Sequence, residues 1–126
     1  MKTIINTKDA PEPIGPYSQA VAANGFLFVS GQVAINPENN ALNLASINEE
    51  THQVMRNLKA VLLEAGYSFE HIVKSTIFLS DMGLFAEVNE IYGSYFSGNF
   101  PARETVAVKG LPKGVNVEIS VTAYKA

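Results

Sequence analysis

The dipeptide Asn24-Gly25 constrains the fold of this chain more than any other feature of its sequence. It separates residues 17–23 from residues 26–33, two runs that are rich in strand-forming side chains. Asn and Gly both tolerate positive φ angles, which the two-residue turn of a β-hairpin requires at its central positions. The sequence therefore predicts that these two runs form a tight antiparallel hairpin.

The register of this hairpin places Tyr17 beside Gly31. A two-residue turn pairs Tyr17 with Gln32 and Ser18 with Gly31. A glycine within a strand has no side chain to pack, so Gly31 marks either a β-bulge or a stretch of backbone that another molecule approaches closely. The sequence alone leaves both interpretations open.

Two helices are predicted from the spacing of apolar residues. Ser46 and Glu49 have the spacing of a capping box at the start of a helix, and Gly66 is suited to end it. The apolar stripe of this helix comprises Ile47, Val54, Leu58, Val61, Leu62 and Ala65. A second helix is expected to open near Asp81 and to end before Gly98. Its apolar stripe comprises Leu84, Phe85, Val88, Ile91, Tyr92, Tyr95 and Phe96.

Strands account for the remaining regular segments, which are residues 2–7, 73–79, 103–108 and 115–124. Three prolines make residues 10–16 an irregular loop. Strands and helices do not alternate strictly, which favours an α+β fold with both helices on one face of a sheet. Two helices leave the other face uncovered, so we expect the chain to associate with itself, most simply as a closed ring.

Composition narrows the class of protein. The chain has 126 residues, a formal net charge of -3, a pI near 5.3 and no cysteine. We therefore expect one domain over residues 1–126, no thiol chemistry, and no general attraction to nucleic acid or to anionic membranes. No stretch resembles a signal peptide or a membrane span, which predicts a cytoplasmic protein. Because nucleotide-binding and metal-binding motifs are also missing, we expect neither a cofactor nor a metal.

Three side chains are candidates for chemistry. Arg103 begins a strand, so the sheet holds its guanidinium, whose planar fork matches a carboxylate; a surface ion pair is the alternative. Glu118 lies within the last strand, where a carboxylate either faces water or takes part in proton transfer. We expect these two strands to be neighbours, so that Arg103 and Glu118 line one cleft. Tyr17 either packs in the core or offers an aromatic wall and a hydroxyl to a small planar ligand.

Four short segments occur in a recognisable order. They are Ile14-Gly15-Pro16-Tyr17-Ser18-Gln19-Ala20, Phe28-Val29-Ser30-Gly31-Gln32, Phe100-Pro101-Ala102-Arg103, and Leu111-Pro112-Lys113 leading to Val117-Glu118-Ile119. In these segments the chain resembles, nearly end to end, the reactive-intermediate deaminase family, also called the Rid or YjgF-like family. The resemblance implies a chorismate-mutase-like α+β domain with a mixed sheet, assembled as a homotrimer with three clefts between neighbouring subunits.

The resemblance also implies a reaction and a role for each candidate residue. Characterised members hydrolyse enamines and imines, such as the 2-aminoacrylate and 2-iminopropanoate that pyridoxal-phosphate dehydratases generate from serine and threonine, to 2-keto acids and ammonia. Carried over to this sequence, Arg103 grips the substrate carboxylate, Glu118 positions or activates water, Gly31 contributes backbone contacts and Tyr17 shapes the pocket. Many members have a cysteine where this chain has Thr105, whose hydroxyl shares the strand face of Arg103.

The sequence is consistent with three hypotheses about function. The leading hypothesis is a 2-iminobutanoate/2-iminopropanoate deaminase, a hydrolase that acts on C–N bonds. The alternative is a trimeric binder or sensor of small 2-keto acids that does not convert them. The third, an RNA-directed translation inhibitor or ribonuclease, is disfavoured by the net charge of -3 and by the lack of clustered basic residues.

Overall fold

The computed structural model describes the whole chain, residues 1–126, as two helices and eight strands. The strands are β1 (Thr3–Ile5), β2 (Ala20–Ala23), β3 (Phe26–Gln32), β4 (Ile35–Asn36), β5 (Ala41–Leu42), β6 (Ile72–Leu79), β7 (Ala102–Ala107) and β8 (Val117–Tyr124). The helices are α1 (Ile47–Glu64) and α2 (Phe85–Gly93). Neither helix combines the length and the apolar character needed to cross a lipid bilayer.

Six strands form one mixed sheet in the order β1-β2-β3-β8-β6-β7. All neighbouring strands are antiparallel except β6 and β7, which are parallel because α2 carries the chain back over the sheet between them. β4 and β5 form a separate two-stranded ribbon. The predicted α+β fold, a mixed sheet with two helices, is confirmed.

The expectation that the last two strands are neighbours is wrong. β6 lies between them and pairs through Ser75 with Arg103 of β7 and through Phe78 with Glu118 of β8. The crossover through α2 sets β7 beside β6 at the edge of the sheet, whereas the final strand enters antiparallel between β3 and β6. The strands that carry Arg103 and Glu118 are therefore two positions apart.

The hairpin around Asn24-Gly25 is confirmed. These two residues have φ angles of 51° and 86°, and β2 pairs with β3 in the predicted register, with Ala20 opposite Val29. The turn residues thus determine which side chains of both strands point to the same face.

The first strand of the hairpin is shorter than predicted, because β2 begins at Ala20 and not at position 17. The predicted pairs of Tyr17 with Gln32 and of Ser18 with Gly31 therefore do not form. Gln19 is buried, and its side chain accepts a hydrogen bond from the Thr7 amide (2.7 Å) and donates to the Thr7 and Pro11 carbonyls (3.0 and 2.9 Å). These bonds tie the segment before β2 to the proline-rich loop. Tyr17 consequently lies in a loop beside the end of β3.

The first helix has its predicted ends. Ser46 Oγ accepts a hydrogen bond from the Glu49 amide (3.1 Å), and Gly66, at φ 82°, follows the last turn. The second helix is shorter than predicted and ends at Gly93, since glycine and serine are weak helix formers and Ser94 Oγ donates to a carbonyl of the last turn.

The two faces of the sheet differ in cover. The alternating apolar residues of β8 are buried in the core on one face of the sheet, as predicted: Val117, Ile119, Val121 and Ala123. The opposite face is not covered by any element of the chain and presents aromatic and aliphatic side chains. Among them are Phe26, Phe28, Val106 and Tyr124, which are 38%, 50%, 44% and 41% exposed. We refer to this side of the sheet as the uncovered face.

Candidate functional site

A cavity of about 400 Å³ brings together three of the predicted site residues, Tyr17, Gly31 and Glu118. It lies where β3 ends and β8 begins, and Pro112 and Lys113 form part of its wall. We call it the Glu118 cavity. The hairpin and the last strand, which meet through the β3–β8 pairing, therefore account for this half of the site.

Glu118 points away from the helices, because it alternates along β8 with the buried Val117 and Ile119. Its side chain is half-buried and forms neither a hydrogen bond nor an ion pair, since the one ion pair of the chain joins Lys74 to Glu104. Burial raises the pKa of Glu118 above the ordinary carboxyl value. A carboxylate with free lone pairs and a raised pKa is suited to accept a proton from water.

Gly31 lies in a β-bulge. Val29 pairs with Val121 and Gln32 with Ile119, so that two residues of β3, Ser30 and Gly31, face a single residue of β8. Of the two interpretations of Gly31, the bulge is therefore confirmed. The bulge lies at the Glu118 cavity, which both residues line.

Tyr17 does not pack in the core. Its side chain is 52% exposed and lines the Glu118 cavity with the neighbouring Ile14. The adjacent backbone is fixed to β3, since Ser30 Oγ donates to the Ser18 carbonyl at 2.6 Å. The phenol ring thus forms an open wall of the cavity and is available to a ligand.

Arg103 lies in a second cavity of about 400 Å³, on the helix side of the sheet, which we call the Arg103 cavity. Its guanidinium Nη1 donates to Asn89 Oδ1 at 2.6 Å. The guanidinium carbon lies 5.6 Å from the ring centre of Phe85 and 5.3 Å from that of Tyr92, within cation–π range. No carboxylate pairs with it, so the surface ion pair considered as an alternative does not form, and the charge is free for an anion.

The aromatic floor under Arg103 is itself fixed. Tyr92 is buried, and its hydroxyl donates to Ser75 Oγ on β6 at 2.8 Å. Burial raises the pKa of the Tyr92 hydroxyl, which therefore stays protonated and neutral beneath the guanidinium. Ser75 on the sheet thus fixes the Tyr92 ring against which the Arg103 guanidinium lies.

Thr105 shares the strand face of Arg103, as predicted, because it pairs with the buried Ile77 of β6. Its Oγ1 is buried and has no hydrogen-bond partner within the chain, and the residue lines neither cavity. Glu104 points to the opposite face, where its carboxylate lies 3.5 Å from Lys74 Nζ. The predicted alternation along β7 is confirmed.

The two cavities lie on opposite faces of the sheet and at different heights. Arg103 is level with Ser75 of β6, whereas Glu118 is level with Phe78. At about 3.3 Å per residue and about 4.8 Å per strand, the two backbone positions are roughly 10 Å apart in each direction. A single chain therefore does not present Arg103 and Glu118 to one small ligand.

Two residues that matter at the site were missed in the sequence. Asn89 supports Arg103, and its only signal is its position between Phe85 and Tyr92 on one side of α2. Glu50 is completely buried and accepts hydrogen bonds from the Asn116 and Val117 amides (2.7 and 3.0 Å). It thereby anchors the start of β8 beside Glu118, but in the sequence it looks like an ordinary acidic residue in the first turn of a helix.

Comparison with known proteins gives a consistent family. The family model described as endoribonuclease L-PSP matches residues 7–125. A RutC family protein of Pyrococcus horikoshii is 48% identical over 125 residues, which cover 99% of each chain. The crystal structure of the Rid family protein YyfA from Yersinia pestis has a TM-score of 0.96 and 50% identity over 99% of this chain and 100% of that one.

A crystal structure of E. coli TdcF with bound serine is also similar, with a TM-score of 0.94 and 35% identity over 98% of this chain and 99% of that one. The family match, the relatives and the solved structures all cover nearly the whole chain. This chain belongs to the Rid family, also called the YjgF-like family.

Proposed function

We propose that the protein is a hydrolase that converts small carboxylate-bearing imines and enamines to 2-keto acids and ammonia, in clefts between the subunits of a homotrimer. One observation carries the proposal: the chain holds an unpaired guanidinium on one face of its sheet and an unpaired carboxylate on the other. An imino acid needs both groups, the first for its carboxylate and the second for the attacking water. The contact between copies through the uncovered face supplies the missing half of each site.

Arg103 is the group that binds the substrate. Its fork forms two parallel hydrogen bonds with a carboxylate, and Asn89 together with the two aromatic rings holds it in place beforehand. The bound serine in TdcF supports a ligand of this class, since serine is a small amino acid with a free carboxylate. Thr105 Oγ1, which lacks a partner within the chain, is expected to hydrogen-bond to the ligand or to the neighbouring subunit.

Glu118 is the group that handles protons. An imine carbon is already electrophilic, so the step is attack by a water molecule that Glu118 orients and deprotonates. The water oxygen bonds to the carbon, and Glu118 then passes the proton to the nitrogen. The new hydroxyl group then gives its proton to Glu118, which passes it to the nitrogen as the C–N bond breaks and the C=O bond forms, so that imine and water give keto acid and ammonia. An enamine enters this sequence after a proton moves to its carbon.

The test is ammonia release from imines generated in the assay from several amino acids. The protein is expected to accelerate ammonia release above the spontaneous rate, and Arg103→Ala to abolish the acceleration. Arg56 is the other arginine of the chain and is exposed on α1, so Arg56→Ala is the matched control and keeps full activity. Spontaneous rates with every small imine would refute the proposal.

Binding without conversion is the second candidate, because the ligand in the TdcF structure is serine and not an imine. Calorimetry with 2-ketobutyrate separates the two: binding together with an inactive deaminase assay supports the binder. The description of the family model also calls for a test of RNA. With a net charge of -3, we expect no retention of RNA by the protein, even at low salt.

A further inference from the structure

We propose that Gly31 is a positioning residue for Glu118: the carboxyl group of Glu118 occupies the space that a side chain at position 31 would fill, and this fixes where the carboxylate lies. The sequence offered two reasons for a glycine at this position, a bulge or the close approach of another molecule. The structure adds a third reason, which is the close approach of the Glu118 carboxyl group of the same chain. This inference rests on the proposed role of Glu118 in hydrolysis.

The geometry leaves no room for a larger residue. A methyl group on Gly31 would overlap Oε2 of Glu118 and would lie 2.8 Å from its Cδ and 3.0 Å from its Cγ. Non-bonded carbon atoms in proteins are separated by about 3.5–4.0 Å. The carboxyl group of Glu118 therefore keeps its present position only when residue 31 is glycine.

The backbone conformation does not by itself call for glycine at this position. Gly31 is not among the residues with positive φ, in contrast to Gly25 and Gly66. The bulge places Ser30 and Gly31 together opposite one residue of β8, and the missing side chain of Gly31 faces the Glu118 side chain. Glycine is therefore required at position 31 because a larger side chain has no room beside the Glu118 carboxylate.

No hydrogen bond holds the Glu118 carboxylate. Its position therefore depends on the room that Gly31 leaves for it. Glu118 has no donor partner and forms no ion pair, and the other ionisable groups that line its cavity are Glu12, Tyr17 and Lys113. Its lone pairs remain free for water while the carboxyl group lies against the backbone of Gly31. A carboxylate placed in this way combines a fixed position with free acceptor capacity.

The kinetic test is a double-mutant cycle. Gly31→Ala is expected to lower kcat by about 10- to 100-fold with KM changed by less than about threefold, since a displacement of about 1 Å is enough for such a loss. In a Glu118→Ala background the same substitution is expected to change kcat by less than about twofold. An equal loss in both backgrounds, or a change in KM alone, would overturn the inference and assign Gly31 to ligand contact.

A second measurement does not depend on activity. Titration of the ¹³C-labelled Glu118 carboxyl group by NMR is expected to show that Gly31→Ala moves its pKa toward the ordinary carboxyl value, because the displaced group turns to solvent. Gly110→Ala is the matched control, since a methyl group there meets no atom within 4 Å and the φ angle is not positive. Circular dichroism checks that both variants fold.

These experiments distinguish failure of the positioning role of Gly31 from failure of the proposed function. An unchanged Glu118 titration in Gly31→Ala would overturn the positioning role, whatever the deaminase rate. A changed titration together with ammonia release at the spontaneous rate by the wild type would uphold the placement of the carboxylate and would refute the proposed function. Full activity of Glu118→Gln would refute only the catalytic role of Glu118.

Discussion

The Arg103 cavity and the Glu118 cavity hold opposite charges in opposite ways. Arg103 is fixed by direct contacts, namely a hydrogen bond to Asn89 and two aromatic rings. Glu118 contacts no donor, and its place is determined by the strand that carries it and by the space over Gly31. An anion-binding group needs its donors aimed in advance, whereas a proton acceptor needs free lone pairs. The contrast therefore predicts that the Arg103 half controls KM and the Glu118 half controls kcat.

Among substitutions that test this contrast between KM and kcat, the largest effect is expected from Glu118→Gln. The amide has the same shape but cannot accept the proton, so kcat should fall by about 10² to 10⁴ with little change in KM. Glu64→Gln, at the exposed end of α1, is the control and should match the wild type in both constants. A rise in KM with unchanged kcat would break the comparison, since Glu118 would then act in binding.

A smaller effect is expected from Arg103→Lys, which keeps the charge and removes the planar fork. Loss of the bidentate contact should lower kcat/KM by about 100-fold, mainly through KM. Arg56→Lys is the matched substitution on α1 and should change neither constant. If kcat fell while KM stayed constant, Arg103 would be acting on the reacting atoms instead of on the carboxylate.

Asn89→Ala tests whether the contacts around Arg103 matter. It removes the 2.6 Å hydrogen bond to Arg103 Nη1 and leaves both rings in place. We expect KM to rise by about tenfold, a typical result of losing a hydrogen bond to a charged group, and the affinity for 2-ketobutyrate in calorimetry to fall equally. An unchanged affinity would mean that the rings alone fix the guanidinium.

The smallest effect is a pH-dependent gain in stability. Because the pKa of Glu118 is raised in the folded protein, the favourable contribution of its neutral form is fully present below the ordinary carboxyl pKa and is lost as pH rises through the raised value. Glu118→Gln stays neutral, so its Tm should exceed that of the wild type at neutral pH and converge with it in acid. An equal gain in Tm at neutral and at acidic pH would show that the gain does not come from the ionisation of Glu118.

The sequence predicted most of the fold because its strongest signals are local. Asn24-Gly25 determines a turn and a register, and Ser46 with Gly66 marks both ends of α1, so these elements appear where expected. The position of β6 between β7 and β8 depends on a crossover and on pairing between distant segments. No spacing within a single segment encodes that arrangement.

The site could be predicted as a set of residues but not as an arrangement. Tyr17, Gly31 and Glu118 do line one cavity, yet Arg103 lies on the other face, which no periodicity in the sequence indicates. Asn89 and Glu50 act through contacts between distant elements, α2 with β7 and α1 with the start of β8. Such contacts become visible only when the helices are placed over the sheet.

The most direct test of a site completed between copies is complementation of two inactive variants. Arg103→Ala and Glu118→Ala are co-expressed and purified as mixed assemblies, with composition checked by native mass spectrometry. In a ring where each site takes Arg103 from one subunit and Glu118 from the next, random mixing restores about a quarter of wild-type deaminase activity. Mixed assemblies that form but remain as inactive as each variant alone would contradict the account.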